Sequence, residues 1–180
     1  FRNRTETHED GPPIRSSTTV YLVWLLITSG LAIAVLIHPG ITGIAELRSN
    51  PTADLVVQVS AEKWNWTYTY PAYGLTIEKA RELVLPVDTR VKFEIEATDV
   101  LHAFWIPAFR MKIDAVPGKT TTMYVTPTML GTFEDDSNLR VQCAELCGTG
   151  HARMRTSVVV VEFEEFESWL AETAEAQVIE

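Results

Sequence analysis

The sequence predicts an all-β Greek-key sandwich or barrel preceded by one N-terminal transmembrane α-helix. Three observations lead there. Ser16 to Ala45 contains no Asp, Glu, Lys or Arg. Beyond it the chain breaks into short segments of strand composition, bounded by turn-forming residues. No long helix intervenes between those segments, which argues against the alternating strands and helices of a parallel sheet.

The apolar heart of the first element, TVYLVWLLITSGLAIAVLI (Thr19 to Ile37), approaches the roughly 20 residues needed to cross a bilayer. A core helix of a soluble domain seldom runs so far without a polar face, and a cleaved signal peptide has a shorter apolar region followed by small residues. His38-Pro39-Gly40 is expected to end the span, because proline disfavours helix in the residue before it and glycine frees the chain to turn. Arg2, Arg4 and Arg15 precede the helix, whereas Ile41 to Leu47 carries no Lys or Arg. The positive-inside tendency therefore places the N-terminus in the cytoplasm and the large domain outside. The chain begins without methionine, which suggests a processed or incomplete start.

The remaining elements follow in order. Arg48-Ser49-Asn50-Pro51 reads as a short linker. Strands are expected at Leu55 to Val59, Trp64 to Tyr70, Glu82 to Pro86, Arg90 to Ala97, Thr120 to Val125, Asn138 to Gln142 and Ser157 to Phe163, with turns at Pro71, Asp88, Pro117-Gly118 and Gly131. VKFEIEA (Val91 to Ala97) alternates apolar with polar residues, the period of a half-buried strand. Glu164 to Ala176 has helix-forming composition. The chain thus divides into an N-terminal cytoplasmic segment (1–15), the membrane helix (16–45), a linker (46–52), the β domain (53–170) and a C-terminal tail (171–180).

The hydrophobic fraction of 46% supports a real core, and the formal charge is -9. Residues 1–45 carry three Arg against Glu6, Glu9 and Asp10, so the whole acidic excess lies in 46–180. Such a domain repels nucleic acid and attracts cations or basic proteins, although many soluble domains are simply acidic.

One loop concentrates the chemistry. VQCAELCGTGHARM (141 to 154) holds both cysteines, one of the four histidines and one of the four methionines, in the pattern Cys143-x-Glu145-x-Cys147-x-x-x-His151-x-x-Met154. Thiolate, imidazole and thioether together favour copper over magnesium or calcium. Zinc would more usually take a second Cys-x-x-Cys or Cys-x-x-His element, c-type haem needs Cys-x-x-Cys-His, and a four-cysteine iron–sulfur cluster needs more cysteines than the chain has. A blue-copper site uses one cysteine and two histidines, so the second cysteine counts against it. The bland alternative is a Cys143–Cys147 disulfide with His151 and Met154 as bystanders, but three intervening residues make a cramped bridge.

These residues resemble the dinuclear CuA loop of cytochrome c oxidase subunit II, and further matches run in order from about residue 17 to 170. DVLHAFWIP and MKIDAVPGK (Asp99 to Pro107, Met111 to Lys119) are similar to the stretch supplying that family's first histidine, and KWNWTYTYP (Lys63 to Pro71) to its aromatic segment. The resemblance implies a cupredoxin-like domain in which Cys143 and Cys147 bridge two copper ions, His102 binds one and His151 the other. Met154 and the backbone carbonyl of Glu145 would be weak axial ligands. It further implies a magnesium ion reached by the Glu145 side chain and shared with the catalytic subunit, a role a carboxylate suits, against a solvated loop carboxylate. Trp64 would receive electrons from the donor. Trp64, Trp66, Tyr68 and Tyr70 alternate, so a strand would put all four on one face, where core packing is the plainer reading. His102 alone would be a partly buried sandwich histidine. Asp99 would meet a partner protein or the catalytic subunit, or else cap a turn. Glu162, Glu164, Glu165 and Glu167 read as a solvated helix start.

The implied function is that of the electron-accepting subunit of a haem-copper oxidase in a bacterial or archaeal cell membrane. Its partners would be the catalytic subunit, further membrane subunits, membrane lipid and a cytochrome c-type donor. The chain would hold no haem, because His8 and His38 lie near the N-terminus and the helix end. The single membrane helix resembles the shorter prokaryotic forms. TFEDDSNLRVQ (Thr132 to Gln142), with Glu134, Asp135 and Asp136, is longer than the family's usual link and bears on donor docking. A metal-delivery protein and a subunit fed by a non-cytochrome donor remain alternatives. Nitrous oxide reductase, which uses a similar domain, needs a catalytic domain this chain cannot hold.

Overall fold

The computed structural model describes residues 17–49 and 52–179. The expected cytoplasmic segment 1–15 and the linker residues Asn50 and Pro51 lie outside them. The chain forms two compact units, 1–51 and 52–180.

In the first unit, α1 (Thr18–Val35) begins at Ser17, whose hydroxyl accepts from the Val20 N–H. No residue of α1 is buried, although the helix is apolar all round. That combination suits lipid rather than a protein core, and Thr18–Glu46 is long and apolar enough to cross a membrane. Regular α-helix stops at Val35, just before the expected His38-Pro39-Gly40, and a second short helix follows. His38 does leave the helical region (φ -137°, ψ 118°), as a residue before proline must. The chain kinks at this point, within Leu36–Ile41, and continues as α2 (Thr42–Arg48). His38 Nδ1 and Thr42 Oγ1 lie 3.0 Å apart across the break.

The second unit is a sandwich of two five-stranded sheets. Its strands are β1 (Leu55–Glu62), β2 (Asn65–Tyr70), β3 (Leu75–Ile77), β4 (Glu82–Pro86), β5 (Val91–Ala97), β6 (His102–Ile106), β7 (Met111–Ala115), β8 (Thr121–Val125), β9 (Arg140–Cys143) and β10 (Arg155–Val161). One sheet has the order β3-β2-β1-β5-β8 and the other β4-β10-β9-β6-β7. Both are mixed, because β1 runs parallel to β5 and β4 to β10 while the other pairs are antiparallel. The strands β3, β6 and β7 are additional to the seven expected. The closing helix α3 (Phe163–Ile179) is continuous across residue 170.

Alternation builds the core. Val57, Val59 and Ala61 of β1, Trp66, Tyr68 and Tyr70 of β2, and Phe93 and Ile95 of β5 point inward from one sheet. They meet Phe104, Val141 and Val158 of the other. Buried hydroxyls need partners, and both tyrosines find them across the sandwich: Tyr68 Oη lies 2.7 Å from Thr156 Oγ1, and Tyr70 donates to the Val84 carbonyl at 2.9 Å. Phe166 and Leu170 of α3 are buried, whereas Glu162, Glu164, Glu165 and Glu167 are exposed.

Candidate metal centre

Strand pairing assembles the site. Cys143 ends β9 and His102 begins β6, and the antiparallel register places Phe104 opposite Cys143. The loop after Cys143 closes where the Cys143 N–H donates to the Met154 carbonyl at 3.0 Å, just before β10. Within it, turns from His151 to Gly148 and from Arg153 to Gly150 bring His151 back over Cys147.

The two thiols are free, and Cys143 Sγ lies 3.7 Å from Cys147 Sγ. The sulfurs are not bonded, so the disulfide alternative does not describe this loop. His102 Nδ1 is 3.8 Å from Cys143 Sγ, and His151 Nδ1 is 3.6 Å from Cys147 Sγ. Met154 Sδ lies 3.9 Å from Cys147 Sγ, and the Glu145 carbonyl accepts from Cys143 Sγ at 3.2 Å. Tetrahedral coordination with about 2.3 Å to sulfur and about 2.0 Å to nitrogen puts two thiolates about 3.8 Å apart, and a thiolate and an imidazole about 3.5 Å apart. The observed spacings match both edges, so the donor set fits a soft metal. His102, Cys143 and Cys147 by themselves form a buried group compact enough to hold an ion.

The surroundings hold these donors still. His102, Cys143, Cys147 and Met154 are buried, and His151 is half-buried. The far nitrogen of His102, Nε2, lies 2.8 Å from Asp99 Oδ1. This leaves Nδ1 facing the sulfurs, the arrangement by which a carboxylate orients a metal-binding histidine. Asp99 also accepts from the backbone N–H groups of Val100 and Lys63, at 2.6 Å and 2.9 Å, so it caps its turn and holds the ring at once. Burial works to raise the Asp99 carboxyl, but its bonds with His102, Val100 and Lys63 outweigh it and hold it at about 2. Burial, followed by the neighbouring Cys143, pushes the Cys147 thiol up to about 11. The indole of Trp66 meets His102 edge-on, with ring centroids 6.5 Å apart.

Trp64 does not share the inward face with Trp66, Tyr68 and Tyr70. It lies in the turn before β2, partly exposed, where the strand period no longer governs it. Its indole N–H donates to the Cys147 carbonyl at 3.3 Å. Glu145 is half-buried, and among the described residues its carboxylate makes no hydrogen bond or ion pair. Within the acidic link, Asp135 accepts from both the N–H and the hydroxyl of Thr132, and Asp136 from the N–H of Asn138, so both serve their own turn. Gly148 and Gly150, which the sequence reading passed over, form the floor beneath the Trp64 ring.

These features define a cupredoxin-like β-sandwich with a thiol-rich group able to hold a metal, on a chain whose described residues include one helix able to span a membrane. Residues 75–162 match the family described as cytochrome c oxidase subunit II, periplasmic domain. The solved periplasmic domain of subunit II of cytochrome oxidase from Bradyrhizobium japonicum is 32% identical, with a TM-score of 0.62, over 70% of this chain and 97% of that domain. Cytochrome c oxidase subunit 2 of Thermostichus vulcanus is 44% identical over 116 residues, 64% of this chain and 32% of that protein. Heme-copper oxidase subunit 2 of Aeropyrum pernix is 37% identical over 146 residues, 79% of this chain and 60% of that protein. This chain belongs to the cytochrome c oxidase subunit II family. It spans about a third of the first of these curated relatives and 60% of the second.

Proposed function

We propose that this chain is the electron-accepting subunit of a haem-copper terminal oxidase, and that its loop holds a dinuclear copper centre of the CuA type. The observation that carries the reading is the thiol pair 3.7 Å apart, with one histidine Nδ1 beside each sulfur. Such a donor set suits two soft ions sharing two thiolates. Cys143, Cys147, His102 and His151 would hold the copper, with Met154 and the Glu145 carbonyl as weaker donors.

When bound, the centre supplies one-electron storage spread over both ions, so that oxidation and reduction change bond lengths little. The chain contributes rigidity. Asp99 fixes His102, the bond from Cys143 N–H to the Met154 carbonyl closes the loop, and the sandwich keeps water from both sulfurs. Trp64, partly exposed and bonded to the carbonyl of a ligand cysteine, is the residue through which a cytochrome c-type donor delivers electrons. The Glu145 carboxylate is the ligand this chain offers to a magnesium ion shared with the catalytic subunit.

Haem and oxygen reduction belong to that catalytic subunit, a reading supported by the names of the relatives. The N-terminus is cytoplasmic, α1 is held in lipid, and the copper domain is on the outer face. Low-temperature EPR of the copper-loaded chain, with copper quantified, tests the centre. Hyperfine splitting from two equivalent coppers is expected, at about two per chain. A single-copper signal, or no bound copper, overturns it.

A further inference from the structure

Away from the thiol loop, three arginines meet on the sheet that holds β4, β9 and β10. Arg81, Arg140 and Arg155 line one cavity of about 170 Å³ with Phe133, Thr156 and Ser157. The register explains why they converge. Ser157 pairs with Arg140 of β9 on one side and with Glu82 of β4 on the other, and Arg155 pairs with Gln142. Arg140 and Arg155 alternate with the buried Val141 and Thr156, so both stand on the outer face of the sheet, and Arg81 joins them from the turn leading into β4.

These are three of the 15 Lys and Arg of a chain whose net charge is -9, yet no carboxylate lines the cavity. Among the described residues neither Arg81 nor Arg155 makes an ion pair. Arg140 is held from its own strand and from the loop before it: Nε donates to Gln142 Oε1 at 2.8 Å and Nη1 donates to the Ser137 carbonyl. A guanidinium has five N–H donors, so further donors remain on this anchored side chain. Like charges gathered together repel one another, and the carboxylate placed nearest by register, Glu82 opposite Ser157, neither lines the cavity nor pairs with these arginines among the described residues. Guanidinium forks match the oxygens of a tetrahedral oxyanion two at a time.

We propose that this cavity binds a phosphate-class oxyanion, with Arg81 and Arg155 as the gripping forks and Arg140 as a pre-oriented third donor. Its size suits inorganic phosphate or pyrophosphate, since pockets for drug-sized ligands run from about 300 to 1,000 Å³. The site is independent of the copper reading, because it uses none of the thiol loop's ligands.

Isothermal titration of the full chain in phospholipid-free detergent micelles at low salt, with inorganic phosphate and pyrophosphate as probes, tests this. One saturable site per chain is expected. Arg81→Ala and Arg155→Ala, both at exposed side chains, should each weaken pyrophosphate by about tenfold or more, and Arg155→Lys should weaken it less because it keeps the charge and loses only the fork. Lys112→Ala, on β7 at the opposite edge of the sheet, should leave affinity unchanged. Glycerol phosphate, the polar fragment of a phospholipid, separates two sources: tighter binding than inorganic phosphate points to a lipid headgroup and weaker binding to a free anion, and either supports the phosphate assignment. No saturable heat, affinity untouched by both alanine variants, or an equal loss with Lys112→Ala overturns it.

Discussion

The indole N–H of Trp64 donates to the carbonyl of Cys147 at 3.3 Å, which ties a partly exposed aromatic ring directly to the backbone of a proposed copper ligand. In the assembled oxidase, Trp64→Ala is expected to keep its copper and lose most donor-driven reduction of that copper. Trp64→Phe keeps a ring over the loop and loses only a hydrogen bond worth about 1 kcal/mol, so it should fall between the two. Stopped-flow reduction by cytochrome c, with copper measured on the same samples, checks both. Normal reduction in the alanine variant would remove Trp64 from the route.

The same ring makes Gly150 sensitive. A Cβ on Gly150 would sit 2.2 Å from Trp64 Cδ2 and 2.4 Å from Cγ, so Gly150→Ala must push the indole off the loop. Overpacking of this kind costs about 1–3 kcal/mol. The cost should vanish in a Trp64→Ala background. Gly148→Ala should behave differently, because Gly148 has φ +116°, a conformation strained for alanine whatever the ring does, and its Cβ would stand an ordinary 3.5 Å from Trp64 Cζ2. Thermal unfolding of the three single variants and of each glycine variant combined with Trp64→Ala measures both differences. A Gly150→Ala cost that survives without the indole would refute this account.

Much of this was legible in the sequence, and the gaps have physical causes. The strands at 82–86 and 91–97 stand where composition and alternation put them, and the thiol, imidazole and thioether groups that the loop's spacing singled out do converge. His102 joined them in the sequence reading only through a resemblance, because pairing between β6 and β9 spans residues far apart in the chain. HAFWI is buried almost throughout, so β6 offers no alternation to read, and MKIDA lies on an edge strand that is largely half-exposed. Trp64 continues the alternation of Trp66, Tyr68 and Tyr70 in sequence, but the strand starts one residue later, and periodicity does not report where a strand starts. Gly148 and Gly150 matter through a ring more than eighty residues away.

Asp99 should matter to metal affinity more than to folding. It holds His102 Nε2 at 2.8 Å with its side chain about 29% exposed, so its removal leaves the core intact but frees the imidazole. Loss of such a carboxylate typically weakens metal binding by about 10- to 100-fold. Copper competition against a chelator should show that loss for Asp99→Ala, with a smaller one for Asp99→Asn, which can still accept a hydrogen bond. Unchanged affinity in both would limit Asp99 to capping its turn.

Asp135 offers a pH reading remote from the thiols. The Thr132 hydroxyl, and then its backbone N–H, hold the Asp135 carboxyl below its ordinary value. Its charged form is favoured in the folded state, so the contribution is fully present above the ordinary carboxylate pKa and is lost as pH falls through the lower folded value. NMR titration of the Asp135 carboxyl carbon should place its midpoint below that of a model aspartate. Thr132→Ala should move it back upward, and a midpoint unmoved by that change would discount the bond.

Met154 has two roles that substitution can separate. It is fully buried, and its Sδ lies 3.9 Å from Cys147 Sγ, so it both fills the core and offers a thioether to the site. Met154→Ala removes both and should cost about 2–5 kcal/mol in stability, as large-to-small changes in cores do. Met154→Leu conserves volume, should cost less than about 1.5 kcal/mol, and removes the sulfur alone. If the thioether is an axial ligand, the leucine variant should remain folded and bind copper while its reduction potential and EPR hyperfine pattern change. The alanine variant should show the same spectroscopic change on a less stable domain. A leucine variant with the parent's potential and spectrum would leave Met154 a packing residue only, and the weak ligation would then rest on the Glu145 carbonyl.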